Sequence, residues 1–128
     1  MLEKITELAE KQKKISDFHL RSESDIAYRL LGDIIVAPDS KISEKDLEDL
    51  LKKNCSESDI KKFNSHWELD TAVMLGSLRF RANFFKTLNG SGAVLRRVET
   101  KVPLMDDLML PQVLYELLDA QKGLVLVT

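Results

Sequence analysis

The most constraining feature of this sequence is a regular alternation of apolar and polar residues across positions 67–98. A period of two is typical of half-buried β-strands, because successive side chains point to opposite faces of a sheet. Two breaks interrupt it, at Gly76-Ser77 and at Asn89-Gly90-Ser91-Gly92, and both offer residues that tolerate turn conformations. The pattern predicts a three-strand antiparallel meander whose core includes Trp67, Leu69, Val73, Leu78, Phe80 and Phe84.

The residues before the meander predict three helices and a further hairpin. Apolar residues recur at helical spacing over residues 2–13, and Ser43 followed by Asp46 resembles the capping box of a helix that runs to about Asn54. Residues 58–64 are expected to form a short helix. Residues 17–21 predict a strand, and residues 26–31 and 34–37 predict a hairpin that Pro38 ends. Together these elements predict an α+β fold, with helices packed on an antiparallel sheet.

Pro103 is interpreted as a domain boundary. Residues 104–108 and 111–120 predict helices, and Gly123 precedes the apolar run 124–127, which is typical of a buried parallel strand. Such a strand is normally followed by a loop and a crossover helix, so we expect the chain to be cut short after Thr128. The expected division is one domain over residues 1–102, with residues 103–128 a linker and the start of a second domain.

Composition excludes several classes of protein. The 19 basic and 21 acidic residues give a formal net charge of −2, and the isoelectric point near 5.7 argues against a general binder of nucleic acid or acidic membranes. The single Cys55 cannot form an internal disulfide, and the two histidines form no zinc-ligand pattern with it. No apolar run is long enough to cross a membrane. A reduced, cytoplasmic setting fits these features best.

Arginines are the strongest candidate site residues. The alternation turns Leu78, Phe80 and Ala82 inward and projects Arg79 and Arg81 from the other face, about 7 Å apart. With Arg96 or Arg97 from the next strand, they could hold a phosphate or carboxylate bidentately. The alternative, which spacing alone favours, is a solvated sheet face whose arginines pair with acidic residues.

Other reactive side chains lack partners for catalysis in the sequence. Asp17 and His19 share a face of their strand, but a structural hydrogen bond explains them better than an acid–base pair. Cys55 has no base nearby, and Glu68 and Asp70 are expected to pair with arginines across the meander. Gly90 and Gly92 match no phosphate-binding motif, so a hairpin explains them.

Five short stretches, in order, resemble the type II/IV secretion ATPase superfamily, and most closely the PilT-like ATPases of type IV pilus retraction, or twitching motility. The match covers nearly the whole chain. Leu31 departs from the pattern, since it replaces the usual Asp of the family's Arg-x-Asp-Gly turn, which puts the hydrogen bonds of that turn in doubt. The similar stretches are Ser16-Asp17-Phe18-His19-Leu20, Arg29-Leu30-Leu31-Gly32, Arg79-Phe80-Arg81-Ala82-Asn83, Gly90 to Arg96, and, as the fifth, the tail with its two segments that begin at Asp107 and Gly123.

The resemblance implies a PAS-like N-terminal domain, followed by the first helix and strand of a RecA-like motor domain. In the assembled ring, arginines of such a domain reach nucleotide held by the motor domain, and the matching residues here are Arg79, Arg81 and Arg96, with Arg29 a weaker candidate. The phosphate-binding Walker A loop would follow Thr128. This chain alone is therefore not expected to hydrolyse ATP or to need a cofactor or metal, whereas the full-length protein would use ATP and Mg²⁺.

The resemblance also implies partners: other copies in a homo-hexamer, the motor domain, and an inner-membrane platform protein of the pilus or secretion machinery. The protein would then be a cytoplasmic motor component at that machinery, without inserting into the membrane or binding nucleic acid. Pilus retraction is favoured over assembly because Ser16-Asp17 follows Met1 after one helix. The rival interpretation is a freestanding PAS-like interaction or sensor module, which would have no use for the apolar run 124–127.

Overall fold

In the computed structural model, which describes residues 2–99 and 101–126, six antiparallel strands form one sheet in the order β3-β2-β1-β6-β5-β4. The predicted α+β class, an antiparallel sheet with packed helices, is confirmed. Strands β4, β5 and β6 are the predicted meander. The elements are α1 (Leu2–Lys11), β1 (Ile15–Arg21), β2 (Ser24–Leu30), β3 (Asp33–Ile42), α2 (Glu44–Asn54), α3 (Glu57–His66), β4 (Glu68–Leu75), β5 (Leu78–Thr87), β6 (Gly90–Val98) and α4 (Val113–Leu118).

Helices α2 and α3 both begin with a capping box. The hydroxyl of Ser43 accepts a hydrogen bond from the backbone of Asp46, whose carboxylate accepts one from the backbone of Ser43 in return. Ser56 and Asp59 repeat the arrangement at α3. Each box satisfies backbone N–H groups that the first turn of a helix leaves without partners.

The core lies between α1, α2 and α3 and one face of the sheet. Phe18 of β1 contacts Phe80 of β5 edge-on, with ring centroids 6.0 Å apart, and Phe63 of α3 contacts Phe84 at 6.3 Å. The helices contribute Ile5, Leu47, Leu50 and Leu51 to the same cluster. Val73, Phe80 and Phe84 are buried as predicted, while Leu69 and Leu78 are half-buried at its edge.

Two details of the prediction are wrong. Trp67 is 49% exposed, because it adopts a left-handed conformation (φ 62°) that ends α3 before β4 begins. Pro38 does not end β3, which continues to Ile42 through an irregularity in its pairing with β2. An edge strand can hold proline at such a position, because the missing N–H interrupts no continuous ladder.

The segment after β6 departs further from expectation. Residues 105–109 form turns rather than a helix, and the second predicted helix is shortened to α4. The strand predicted at 124–127 is not formed over residues 124–126, and Val127 lies outside the described residues. A strand needs a neighbour for its backbone hydrogen bonds, and Leu124 and Leu126 are instead exposed. Within residues 2–99 and 101–126, no helix is long and apolar enough to cross a membrane.

Candidate anion-binding face

The sheet face opposite α1, α2 and α3, here called the open face, carries the candidate arginines. In β5, Phe80 and Ala82 are fully buried under the helices, whereas the Arg81 side chain is 72% exposed. The register that the alternation predicted for β5 is therefore confirmed. The long side chains of Arg81 and Arg96 on the open face extend into solvent, each 72% exposed, whereas Asp17 beneath them is buried.

Four charged residues line up across the centre of the open face. Arg29 of β2 is opposite Asp17 of β1, Asp17 is opposite Arg96 of β6, and Arg96 is opposite Arg81 of β5. We call this line the arginine row. With about 4.8 Å between neighbouring strands, it spans about 14 Å.

Arg79 lies outside the row. It is opposite Met74 of β4 and Val98 of β6, one pleat repeat or about 7 Å along β5 from Arg81. The structure thus brings Arg29, Arg81 and Arg96 together and leaves Arg79 beside them.

Asp17 contacts the arginines on both sides of it in the row, Arg96 and Arg29. Its carboxylate accepts hydrogen bonds from Arg96 Nε (2.8 Å, at Oδ1) and Ser16 Oγ (2.7 Å, at Oδ2). Burial would raise the pKa of Asp17, but these hydrogen bonds and the charge of Arg96 outweigh it, so the pKa lies below its usual value. The hydrogen bond to Asp17 also raises the pKa of Arg96.

Arg29 is engaged twice. Its Nη1 donates to the carbonyl of Gly32 at 3.0 Å, and its Nε lies 3.7 Å from Asp17 Oδ2. The turn it supports places Leu31 at φ 52° and Gly32 at φ 100°, a pair of left-handed residues typical of tight hairpins. The turn forms although Leu31 replaces the family's Asp, and Arg29 supplies its side-chain hydrogen bond.

Arg81 makes one weak ion pair within the described residues. Its Nη2 lies 3.8 Å from Asp70 Oδ1, and both side chains are more than half exposed. The expected ion pair of Asp70 is therefore present, whereas Glu68 accepts a hydrogen bond from Asn83 instead of pairing with an arginine. A shallow depression of about 360 Å³ on this part of the face is lined by Glu68, Asp70, Arg81, Asn83, Val94 and Arg96.

Arg97 is the structural counterpart of Arg96. It points to the helix side, where its Nη1 donates to the carbonyl of Ala9 at 2.8 Å, and its side chain is only 14% exposed. Of the two arginines that the sequence offered from β6, Arg96 faces the depression.

The remaining candidates form no catalytic arrangement. Asp17 binds Ser16 and Arg96 rather than His19, and the buried His19 Nε2 has no hydrogen-bond partner among the described residues. Burial raises the pKa of the Cys55 thiol, which disfavours the reactive thiolate. Residues 2–99 and 101–126 contain no cluster of three or more potential metal ligands.

The open face therefore carries the groups that a candidate anion site would need. Guanidinium groups at Arg81 and Arg96 sit on adjacent strands above a depression that solvent can enter. Planar, permanently charged groups of this kind match phosphate and carboxylate oxygens. Asp17 was missed as a site residue because its partner Arg96 is 79 residues away, and sequence spacing does not reveal that pairing.

Comparison with known proteins shows which proteins this chain resembles. It is 32% identical over 128 residues to the uncharacterized protein YggR of Escherichia coli, covering 99% of this chain and 38% of YggR. It is also 32% identical over 114 residues to the type IV pilus retraction ATPase PilT of Pseudomonas aeruginosa, covering 88% of this chain and 33% of PilT. The chain thus spans about a third of the length of these relatives.

Solved structures agree. A crystal structure of the pilus retraction motor PilT with bound ADP matches with a TM-score of 0.74 and 29% identity, over 91% of this chain and 34% of that one. The Legionella pneumophila ATPase DotB shares the fold, with a TM-score of 0.66 and 21% identity over 95% of this chain and 35% of that one. No family model matches the sequence. The resemblance inferred from the motifs is nevertheless confirmed: this chain is related to the PilT-like secretion ATPases and corresponds to their N-terminal region.

Proposed function

We propose that this chain is the N-terminal regulatory and ring-assembly domain of a hexameric ATPase that powers type IV pilus retraction or a related secretion process. In this proposal its open face supplies arginines to nucleotide held by a RecA-like motor domain of the full-length protein. The observation that carries it is the arginine row, which places exposed guanidinium groups from three strands on one uncovered face.

The charges of the row suit a phosphate group. Arg96 and Arg81 are both 72% exposed at their side chains and lie opposite one another, so one phosphate can meet both. Cations that meet the phosphates only when two domains close stabilise the charge that develops during phosphoryl transfer. Closure would then depend on the nucleotide state, which gives the domain its regulatory role.

The domain division is part of the proposal. Residues 1–102 would be the PAS-like domain, and residues 103–128 would be the linker and the start of the motor domain. The exposed apolar side chains after Pro103, among them Leu104, Leu118 and Leu124, support this division, because they need a partner that the first domain does not give them.

ATP and Mg²⁺ would belong to the full-length protein. The arginine row fits phosphate oxygens, whereas the ligands of a magnesium ion would come from the motor domain. We assign the protein to the cytoplasmic side of the inner membrane, where it would associate with a platform protein of the pilus or secretion machinery. Relatedness to ATPases favours this proposal over a freestanding PAS-like interaction or sensor module.

The test is ATP hydrolysis by the full-length hexamer carrying Arg81→Ala or Arg96→Ala. Each change should lower kcat by about 100-fold or more, because it removes a donor to developing charge, while ATP affinity changes only a few-fold. Arg79→Ala should have the smaller effect, since Arg79 lies outside the row.

Arg21→Ala is the matched control. Arg21 is an exposed arginine of β1 on the same face, four residues or about 13 Å from Asp17. The hexamer with Arg21→Ala should therefore hydrolyse ATP at the parental rate. Parental kcat in both the Arg81 and Arg96 variants would refute the arginine-supplying role and leave the open face an ordinary solvated surface.

A further inference from the structure

Asp17 has surroundings unlike those of the arginines around it. Only 7% of its side chain is exposed, against 72% for Arg96 and 40% for Arg29. Removing a carboxylate from water is unfavourable unless hydrogen bonds and opposite charge compensate for it. Two arginines from two different strands flank this one, and the Ser16 hydroxyl fixes its second oxygen.

The way Arg96 binds Asp17 leaves most of its guanidinium available. Among the described residues, Arg96 donates to Asp17 Oδ1 through Nε, and neither Nη group has a hydrogen-bond partner; the four N–H donors of the two Nη groups can therefore meet another anion. Phosphate prefers a pair of parallel N–H donors, and the two Nη groups offer one. If Arg96 instead bound Asp17 through both Nη groups, these donors would not be available to a phosphate.

Comparison with Arg97 argues against a purely structural ion pair. Arg97 donates to the carbonyl of the buried Ala9 in α1, and only 14% of its side chain is exposed, as expected of an arginine that holds two elements together. Arg96 also bonds to a buried group, yet its own side chain stays in solvent. The Asp17–Arg96 pair is thus half buried: the carboxylate is fixed in the sheet, and the guanidinium is exposed to solvent.

We propose that Asp17 is a positioning residue, which orders the Arg96 side chain with both Nη groups available for a phosphate group of the nucleotide. The inference rests on the proposed function and adds to it the residue that prepares the site. An arginine ordered in advance loses less conformational entropy when it meets phosphate than a free one does. Arg81 has a weaker restraint within the described residues, an ion pair at 3.8 Å with the exposed Asp70.

The experiment is a double-mutant cycle on ATP hydrolysis by the full-length hexamer, with Asp17→Asn, Arg96→Ala and both together. Asp17→Asn should lower kcat by about tenfold, since a misplaced contact group commonly costs 10-fold to 100-fold, and should change KM less than about twofold. The double variant should be no slower than Arg96→Ala, because Asp17 acts through Arg96.

Two further variants complete the design. Asp33→Asn makes the same chemical change at an exposed site in the β2–β3 hairpin and should leave kcat unchanged. Ser16→Ala removes the hydroxyl that holds Asp17 Oδ2 and should lower kcat in the same direction by about threefold. Because Ser16 is exposed, this variant decides the question if Asp17→Asn does not fold, and a parental kcat would then overturn the proposal.

The outcomes separate the two proposals. A slow Arg96→Ala with a parental Asp17→Asn would overturn the positioning role and leave the proposed function standing. An Asp17→Asn effect of equal size with and without Arg96 would show a structural role and also overturn it. A parental rate for Arg96→Ala would refute both this inference and the part of the proposed function that assigns Arg96 to the nucleotide.

Discussion

Adjacent arginines of β6 have opposite surroundings although their side chains are identical. Arg97 satisfies a backbone carbonyl of α1 beneath the sheet, while Arg96 stands in solvent above it. The pleat alone separates them, since consecutive residues of a strand point to opposite faces. A shift of one residue in the pairing of β6 would exchange their roles, so the site depends on strand register as much as on residue type.

Acid should weaken the contribution of Asp17 to stability. Burial opposes its charged form, but the Arg96 and Ser16 hydrogen bonds outweigh it, so the folded pKa lies below that of the unfolded chain, about 3.9. Between these values the unfolded chain binds the extra proton, so stability falls as pH falls. The contribution is complete above the unfolded pKa and is lost as pH falls through the folded one.

Urea unfolding of the isolated chain at several pH values measures this effect. The free energy of unfolding of Asp17→Asn should be lower than that of the parent at pH 7, and the gap should narrow below about pH 4. Glu44→Gln serves as a comparison for this pH dependence, because the pKa of Glu44 is lowered in the same way as that of Asp17. Burial of Glu44 would raise its pKa, but hydrogen bonds from Ser91 outweigh this effect. A gap for Asp17→Asn that stays constant from pH 7 to pH 3 would contradict a contribution from its charge.

At the scale of single elements, β3 shows how an edge strand passes a proline. Ser40 is fully buried beyond Pro38, where its Oγ accepts a hydrogen bond from Ile26 N at 2.9 Å and donates to the carbonyl of Ala37 at 2.6 Å. Its own N–H donates to Asp25 Oδ1 at 2.9 Å. Side chains thus replace the ladder bonds that the irregularity removes, and the strand resumes pairing at Lys41.

Ser40→Ala should therefore lower the free energy of unfolding by about 1–3 kcal/mol, because it leaves the Ile26 N–H and the Ala37 carbonyl buried without their partner. Ser58→Ala, at an exposed position of α3, should change it by less than about 0.5 kcal/mol. Denaturant unfolding of both variants checks the difference. Equal stability of the two would mean that backbone adjustment at the irregularity satisfies these groups without the hydroxyl.

The same elements show what could be predicted from the sequence. Alternation over 67–98 predicted the meander and the face of Arg81, and Ser43 with Asp46 predicted a helix start, because both signals are local. Pro38 and Trp67 were misinterpreted because their conformations depend on the β2 partner and on how α3 ends. Asp17 was missed for a related reason: its partner Arg96 is 79 residues away.

At the scale of the whole molecule, α1, α2 and α3 cover one face of the sheet, and in the described part of the chain the other face carries the exposed Arg81 and Arg96. All the buried core residues fall between Ile5 and Leu95, so α1, α2, α3 and β1 to β6 form the core within the described residues. The tail has helix α4 and a hydrogen bond from Tyr115 to Asp106, but most of its larger apolar side chains are exposed and none is buried among the described residues. From this distribution we expect one stable unit and an apolar segment that needs a partner.

Deleting residues 103–128 should therefore leave the first unit intact. The melting temperature should stay within about 4 °C of the parent, the shift that ~1 kcal/mol causes in a domain of this size, because no core residue is removed.

The isolated parent chain should self-associate at high concentration through its exposed tail, and the shortened chain should stay monomeric in analytical ultracentrifugation. Leu117→Ser with Leu118→Ser is the matched control: it keeps the tail but removes exposed apolar surface, so it should reduce association without changing the melting temperature. A fall of more than about 10 °C on deletion would place the tail within the first domain and refute the boundary near Pro103.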